Sequence, residues 1–284
     1  MEDKILIVGG DARLAYGADE LERRGKKVMA YGNGLCNCCC ADSLKAALAD
    51  CKYILCSIPF SRDNGETVFA PHFGKKIFTD DLLSLITPEH TLFAGMPGSF
   101  MTSCAMRGAT IIDYNLFEDF QIYNAHLSAE AILSIIINNL PVSISDSSFL
   151  ILGYGRIGKE LACMLKNLGG DVTATARKAS DFALMSIRGI NSMYTKNINT
   201  KNCYSAVINT IPQKVTDDKF YENLNSDCLI IDASASPGYM DTEAAESFGL
   251  KLMGAFGLPG KYSPASAGKI IVKMMLDYIS KTNL

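Results

Sequence analysis

The run Phe149-Leu150-Ile151-Leu152-Gly153-Tyr154-Gly155-Arg156-Ile157-Gly158-Lys159-Glu160 passes from an apolar strand through GxGxxG into a helical pattern. A strand, a glycine turn and a helix in that order open a βαβ unit and read as a dinucleotide-binding turn. Gly153 permits the tight turn, Gly155 lets backbone approach a pyrophosphate, and Gly158 allows helix to pack closely on strand. The helix N-terminus then offers unpaired N–H groups to phosphates. Gly153, Tyr154, Gly155, Arg156, Ile157 and Gly158 are therefore the first candidate cofactor contacts.

Glycines also serve ordinary turns, so the context matters. A second strand, Asp171 to Ala176, follows the helix and ends roughly 20 residues beyond the turn, where such folds read the ribose. An acidic residue there would accept the 2′-hydroxyl of NAD and repel a phosphate. This chain has Ala176, Arg177, Lys178 and Ser180 instead, which offer donors to a 2′-phosphate. The pattern favours NADP(H) over NAD(H); the alternative is two solvated surface cations after a strand.

A length of 284 residues suits two α/β domains, each with a sizeable core. The formal net charge of −3 gives no general attraction to nucleic acid or to an acidic membrane surface. Apolar stretches such as Ala131 to Leu140 are short for a bilayer span, and Met1-Glu2-Asp3-Lys4 leads directly into a strand, so a soluble cytoplasmic protein is expected. Of the ten cysteines, Cys56 and Cys228 fall in strand patterns and Cys163 in a helical one, which argues for reduced thiols. The cluster Cys36-Asn37-Cys38-Cys39-Cys40 lacks a second spaced pair or a nearby histidine, so no metal site is expected.

The α/β plan occurs twice. Lys4 to Gly9 reads as a strand, Asp11 to Arg24 as a helix closed by Gly25, and Lys27 to Tyr31 as the next strand. Tyr53 to Pro59, Thr91 to Gly95 and Thr110 to Asp113 continue it, with helices at Asp80–Ile86 and Ser99–Gly108. A longer amphipathic stretch, Ala125 to Asn139, is halted by Pro141 and leads into the nucleotide-binding unit. That unit continues through strands at Ala206–Thr210, Cys228–Asp232 and Lys251–Ala255, before a last helix from Pro264 to Lys281. The fold expected is α/β, with two Rossmann-like doubly wound parallel-sheet domains joined by a long helix. Residues 1–124 form an N-terminal substrate or dimerisation domain, joined by the C-terminal helix 264–284. Residues 125–263 form the NADP-binding domain, and ligands are expected beyond the carboxyl ends of the strands, in the cleft between domains.

Polar residues gather at those carboxyl ends: Gly9-Gly10-Asp11-Ala12-Arg13, Ser57-Ile58-Pro59, Gly95-Met96-Pro97-Gly98-Ser99, Asn209-Thr210-Ile211-Pro212 and Asp232-Ala233-Ser234. These suit ligand contacts, and they also suit strand ends that must turn.

Taken together, these segments resemble the A-subunit family of dipicolinate synthase, the dehydrogenase-like component with which spore-forming bacteria make pyridine-2,6-dicarboxylate. The resemblance covers nearly the whole chain. It rests on Val8 to Arg13, Phe117 to Asn124, Leu152 to Gly158, Ile208 to Pro212, Ile231 to Gly238, Gly257 to Pro264, and Ala267-Gly268-Lys269-Ile270. It implies oxidation of a small cyclic dicarboxylate from the lysine pathway, 4-hydroxytetrahydrodipicolinate or dihydrodipicolinate, to dipicolinate with a nicotinamide cofactor. It further implies a flavoprotein-like partner, the B-subunit of dipicolinate synthase, and the cytoplasm of a mother cell; a homo-oligomer is also expected. Three features depart from the family pattern: Ala235 or Ser236 where an Arg often stands, Ala125-His126-Leu127-Ser128-Ala129-Glu130 in place of a proline-containing run, and the cysteine cluster itself.

Two substrate carboxylates call for fixed cations and amide donors, and Arg13 is the first choice, beside the Gly9-Gly10 backbone and Arg156; Asp11 stands with Gly10 and Arg13 in the substrate set. Ser57, Ser99, Tyr123, Asn124 and Ser263 complete the substrate set, although Ser263, like Ser266, could simply cap the last helix. For proton removal the chain offers His126, Glu130 and Asp232, with Tyr123 as a further donor–acceptor; Asp232 and Ser234 also count among the cofactor contacts. The Arg/Glu/His set of the 2-hydroxyacid dehydrogenases has no counterpart here, which disfavours ordinary hydroxyacid oxidation. Two alternatives stay open: another NADP-linked oxidoreductase on the hydroxyacid-dehydrogenase plan, and a non-catalytic nucleotide-binding subunit.

Overall fold

Short apolar runs that alternate with amphipathic helices cannot bury both sheet faces unless the strands run parallel under two helical layers, and the chain adopts that solution twice. The computed structural model describes residues 4–49, 51–198, 204–235 and 237–282. It comprises two units, one of residues 1–123 with 259–284 and one of residues 124–258.

In the first unit, β1 (Lys4–Val8), α1 (Ala12–Arg23), β2 (Val28–Tyr31), β3 (Cys39–Cys40), α2 (Leu44–Leu48) and β4 (Cys51–Cys56) are followed by α3 (Thr79–Leu85), β5 (Thr91–Ala94), α4 (Ser99–Met106) and β6 (Thr110–Asp113). The sheet order is β3-β2-β1-β4-β5-β6, all parallel. The order reverses between β1 and β4, the position at which open α/β sheets hold ligands. The cysteine cluster, which carries no strand pattern in the sequence, supplies the edge strand β3: Cys39 and Cys40 pair with Met29 and Ala30.

The long helix α5 (Glu118–Asn139) starts seven residues before the expected Ala125. Glu118 and Asp119 occupy its first turn, where carboxylates favour the positive end of the helix dipole. Its length and composition would suffice to cross a membrane, yet half of its apolar stretch is buried. Ala129, Ile132, Ile135 and Ile136 belong to the core of the second unit.

That unit contains β7 (Ser148–Leu152), α6 (Arg156–Asn167), β8 (Asp171–Ala176), α7 (Ala179–Ile187), β9 (Asn191–Tyr194), β10 (Ala206–Asn209), α8 (Asp218–Glu222), β11 (Leu229–Asp232), α9 (Thr242–Ser247) and β12 (Lys251–Gly254). Its sheet, β12-β11-β10-β7-β8-β9, repeats the first unit's topology and is parallel throughout. Phe149, Leu150, Ile151 and Leu152 are all fully buried, as a central strand covered on both faces requires.

Helices α10 (Leu258–Tyr262) and α11 (Pro264–Thr282) end the described chain, and α11 packs on α1 in the first unit. A Cβ on Gly268 would stand 2.3 Å from the Arg13 carbonyl oxygen and 3.0 Å from the Gly17 nitrogen. Only a residue without a side chain lets the two helices meet there. Ile271, Val272, Met274 and Met275 then reach Leu14, Ala18 and Leu21 in one buried cluster, each large side chain worth roughly 2 kcal/mol of burial.

Candidate functional site

In the second unit the glycine run forms a closed turn at the end of β7. Gly153 adopts φ +98° and its N–H donates to Thr175 Oγ1 at 2.9 Å. A Cβ on Gly158 would lie 2.2 Å from the Gly153 carbonyl oxygen, so α6 can start this close to β7 only with glycine there. Thr210, from the end of β10, donates through Oγ1 to Leu152 O at 2.9 Å. Beside Gly155 the space is open, with no atom within 4 Å of where a Cβ would be. Gly155 also caps α6 without a side-chain bond. The exposed turn, open backbone and helix start fit a dinucleotide pyrophosphate.

Tyr154 is turned inward instead. It is 4 % exposed, its hydroxyl accepts from Arg188 Nη1 at 3.5 Å, and Lys159 Nζ lies 5.5 Å from its ring centre. Burial pushes its pKa above the ordinary tyrosine value, with Arg188 acting in the opposite sense. Its ring anchors the turn, while Arg156 is exposed and Ile157 half-buried.

Strand β8 ends in buried Ala176, and Arg177, Lys178 and Ser180 stand exposed at the start of α7. Asp181, in the first turn of α7, is matched by Lys159 Nζ at 3.0 Å.

At the ends of β10 and β11, Asn209 and Asp232 are buried against one another, with Asn209 Nδ2 donating to Asp232 Oδ1 at 3.1 Å. Oδ1 also accepts from the Ser234 N–H at 3.2 Å and its hydroxyl at 2.6 Å; Oδ2 accepts from the amides of Tyr239 at 2.6 Å and Met240 at 2.8 Å. Asp232 organises the loop after β11, and both its oxygens are engaged. Asn209 Oδ1 likewise accepts from Ile211 N–H at 3.0 Å, while Pro212 is exposed. Ala235 is exposed, and Ser236 lies outside the described residues.

His126 and Glu130 come together one turn apart on α5, with a residue that pattern reading missed. His126 Nδ1 lies 3.1 Å from Glu160 Oε2, and Nε2 lies 3.4 Å from Glu130 Oε1. The i,i+4 spacing of His126 and Glu130 is legible in sequence; Glu160 on α6 is brought in only by packing. On the same helix, Asn124 is half-buried and accepts from Ser128 Oγ at 2.7 Å through its carbonyl.

In the first unit, Asp11 caps α1 by accepting from Arg13 N–H at 3.1 Å. The Arg13 guanidinium folds back on the same carboxylate, Nε to Oδ1 at 2.9 Å and Nη2 to Oδ2 at 2.8 Å, and Nη2 also donates to Ile58 O. Among the described residues Nη1 has no hydrogen-bond partner. Gly10 N–H is directed to Phe69 O at 2.6 Å. Asn33, set between Gly32 and Gly34 and missed from sequence, donates to Gly9 O at 3.1 Å and Asp11 O at 3.2 Å, and so fixes the turn from beneath.

Ser57 is buried and donates to Pro59 O at 3.0 Å across the cis Ile58–Pro59 peptide. Tyr114 is buried nearby and donates to Cys56 O at 3.0 Å; burial raises its pKa well above the ordinary value, against a lowering influence from Arg13. Gly260 approaches the other side of the Asp11–Arg13 pair, since a Cβ there would be 3.0 Å from Arg13 Nε. Ser99 and Tyr123 are exposed, and Ser263 is half-buried with its carbonyl accepting from Ala267 N–H at 2.9 Å. Among the described residues no group of three or more His, Cys, Asp or Glu side chains is arranged to hold a metal ion.

Residues 4–115 match the family model of the N-terminal domain of the dipicolinate synthase A-subunit. The chain is 26 % identical over 287 residues to the dipicolinate synthase A-subunit of Bacillus subtilis (strain 168), covering 98 % of this chain and 96 % of that protein. The crystal structure of the dipicolinate synthase A-subunit from Bacillus halodurans superposes with a TM-score of 0.87 at 22 % identity, over 98 % of each chain. The two-sheet plan extends to a D-isomer specific 2-hydroxyacid dehydrogenase from Lactobacillus delbrueckii ssp. bulgaricus, solved in its NAD-complexed form, with a TM-score of 0.58 at 9 % identity over 99 % of this chain and 97 % of that one. The superpositions establish the fold; residues 4–115 match the N-terminal domain of the dipicolinate synthase A-subunit, and the chain is similar to that subunit along 98 % of its own length.

Proposed function

We propose that the protein is a nicotinamide-dependent oxidoreductase that converts 4-hydroxytetrahydrodipicolinate, or dihydrodipicolinate after loss of water, to dipicolinate, with NADP as hydride acceptor. The observation that carries this reading is the closed Gly153–Gly158 turn with open space beside Gly155. Its location in a relative of the dipicolinate synthase A-subunit points to the substrate.

In this reading the amides of the glycine turn and the first turn of α6 hold the pyrophosphate. Arg177, Lys178 and Ser180 hold the 2′-phosphate, which Asp181 does not oppose because Lys159 neutralises it. The nicotinamide, when bound, supplies the hydride acceptor. Arg13 Nη1 donates to a ring carboxylate while Asp11 and Ile58 fix the guanidinium plane. His126 and Glu130 accept the proton, and aromatisation of the ring supplies the driving force, so the protein's task is to orient the ring and exclude water.

The reading extends to a flavoprotein-like partner, the B-subunit of dipicolinate synthase, to homo-oligomers and to the mother-cell cytoplasm of a spore-forming bacterium. The enclosure of Asp232 by five donors favours one alternative, a nucleotide-binding subunit whose partner carries out the oxidation.

The test follows the pyridine-dicarboxylate and reduced-nicotinamide absorbances together, using freshly generated 4-hydroxytetrahydrodipicolinate with NADP or NAD, with and without the partner. Dipicolinate formed with NADP reduction by this chain alone supports the proposal. Product that needs the partner and leaves nicotinamide unchanged overturns it in favour of the alternative.

A further inference from the structure

Helices α5 and α6 bring three titratable side chains together along one packed seam. Ala129 and Ile132 of α5 share a buried cluster with Leu161, Ala162 and Leu165 of α6, which fixes the two helices where His126 and Glu160 meet. His126 Nδ1 lies 3.1 Å from Glu160 Oε2 and forms a hydrogen bond with it. Nε2 lies 3.4 Å from Glu130 Oε1, a separation longer than the ~2.8 Å of a charge-assisted hydrogen bond.

An ionised carboxylate has no hydrogen to donate, so the ring nitrogen it bonds must carry the hydrogen. The tighter contact, at Nδ1, therefore selects the Nδ1–H tautomer and leaves the lone pair of the neutral ring on Nε2. The opposite tautomer would set the Nδ1 lone pair against a carboxylate oxygen at 3.1 Å. The His126 side chain is 47 % exposed, so burial does not close the ring off. Glu160 stands in the second turn of α6, the helix that the glycine turn opens, so one helix carries both the dinucleotide cradle and the partner of His126.

We propose that Glu160 is a positioning residue, which holds His126 as the Nδ1–H tautomer so that Nε2 is the atom that accepts the substrate proton; the assignment rests on the oxidation proposed above. In that step a ring proton passes to Nε2 and the electron pair of the bond it leaves joins the aromatic system, while a hydride leaves the ring for the oxidised nicotinamide dinucleotide. Proton and hydride together account for the two hydrogens lost. The imidazolium so formed keeps Nδ1–H on Glu160 and turns its new Nε2–H toward Glu130, and it returns to the neutral tautomer by releasing that proton to water.

The experiment records long-range proton–nitrogen correlation spectra of the full chain, labelled with nitrogen-15 at its three histidines, at alkaline pH where imidazoles are neutral. A His126→Gln variant identifies the His126 signals. The wild-type ring is expected to carry hydrogen on Nδ1, Glu160→Ala to move it to Nε2, and Glu130→Ala to leave it on Nδ1. Glu160→Ala is also expected to lower kcat by about tenfold or more with the KM for the dinucleotide unchanged, because only the positioned base is impaired. A wild-type ring with hydrogen on Nε2, alone or on both nitrogens, or a tautomer that Glu160→Ala does not shift, overturns the role of Glu160. Wild-type turnover in His126→Gln overturns Nε2 as the acceptor and leaves the oxidation standing. A wild-type chain that forms no dipicolinate overturns the reaction and the acceptor role together, while the spectra still decide the tautomer.

Discussion

Arg13 grips Asp11, two residues before it, through two hydrogen bonds of 2.9 and 2.8 Å, with side-chain exposures of only 8 and 17 %. A nearly buried ion pair at a strand-to-helix turn fixes the turn and aims the remaining guanidinium edge. Arg13→Ala strands the Asp11 carboxylate, and breaking such a pair costs about 3 kcal/mol. Urea unfolding should record that loss. Arg13→Lys should retain much of the stability yet weaken dicarboxylate binding, because an ammonium cannot bond Asp11 in parallel and present a further edge. Equal substrate affinity in Arg13→Lys and wild type would remove Arg13 from the binding site.

Gly158→Ala places a methyl 2.2 Å from a backbone oxygen that cannot swing away. The turn must open, at a cost of about 1–3 kcal/mol. NADP affinity, measured by calorimetry, should fall together with thermal stability. An unchanged affinity would argue against the turn as the pyrophosphate cradle.

The exposed cations after β8 should act on one phosphate only. Arg177→Ala with Lys178→Ala is expected to weaken NADP by about tenfold or more, since charge-assisted bonds contribute roughly 1.5–3 kcal/mol, and to leave NAD affinity almost unaltered. Calorimetric titration with both dinucleotides decides it; parallel losses would point to a general rather than a 2′-phosphate role.

Asp232→Asn replaces an acceptor with a group that presents N–H to other N–H donors. A destabilisation of about 2 kcal/mol is expected, as for other buried donors left unsatisfied. Should activity vanish while the unfolding midpoint stays fixed, Asp232 would instead be acting on substrate.

Asp63 gives the pH dependence. The Thr67 hydroxyl, the Thr67 amide and the Ser61 hydroxyl donate to its carboxylate and lower its pKa to about 2. A depressed carboxylate pKa stabilises the folded state above the ordinary range near 4 and loses that contribution as pH falls through about 2. Carboxyl NMR titration should find Asp63 still ionised at pH 3, and Asp63→Asn should remove the acid sensitivity of residues 61–67.

Much of the fold could be read in the sequence because parallel strands buried on both faces must be short, apolar and followed by turn residues. Ile5 to Val8 and Phe149 to Leu152 have no other way to bury their side chains. The edges were harder. Cys39 and Cys40 carry no strand pattern and become one through Met29 and Ala30; the start of α5 at Glu118 depended on capping electrostatics rather than on apolar spacing.

By itself the sequence determined that a glycine turn would follow β7, because Gly153, Gly155 and Gly158 meet backbone demands that are local. It also determined that cations rather than an acid would follow β8, since identity at a strand end is local too. Tertiary structure alone decided where long polar side chains point. It enclosed Asp232 among five donors, set Glu160 against His126, turned Tyr154 inward and placed Asn33 beneath Gly9 and Asp11. Those outcomes depend on partners distant in the chain, and no spacing rule within one segment encodes them.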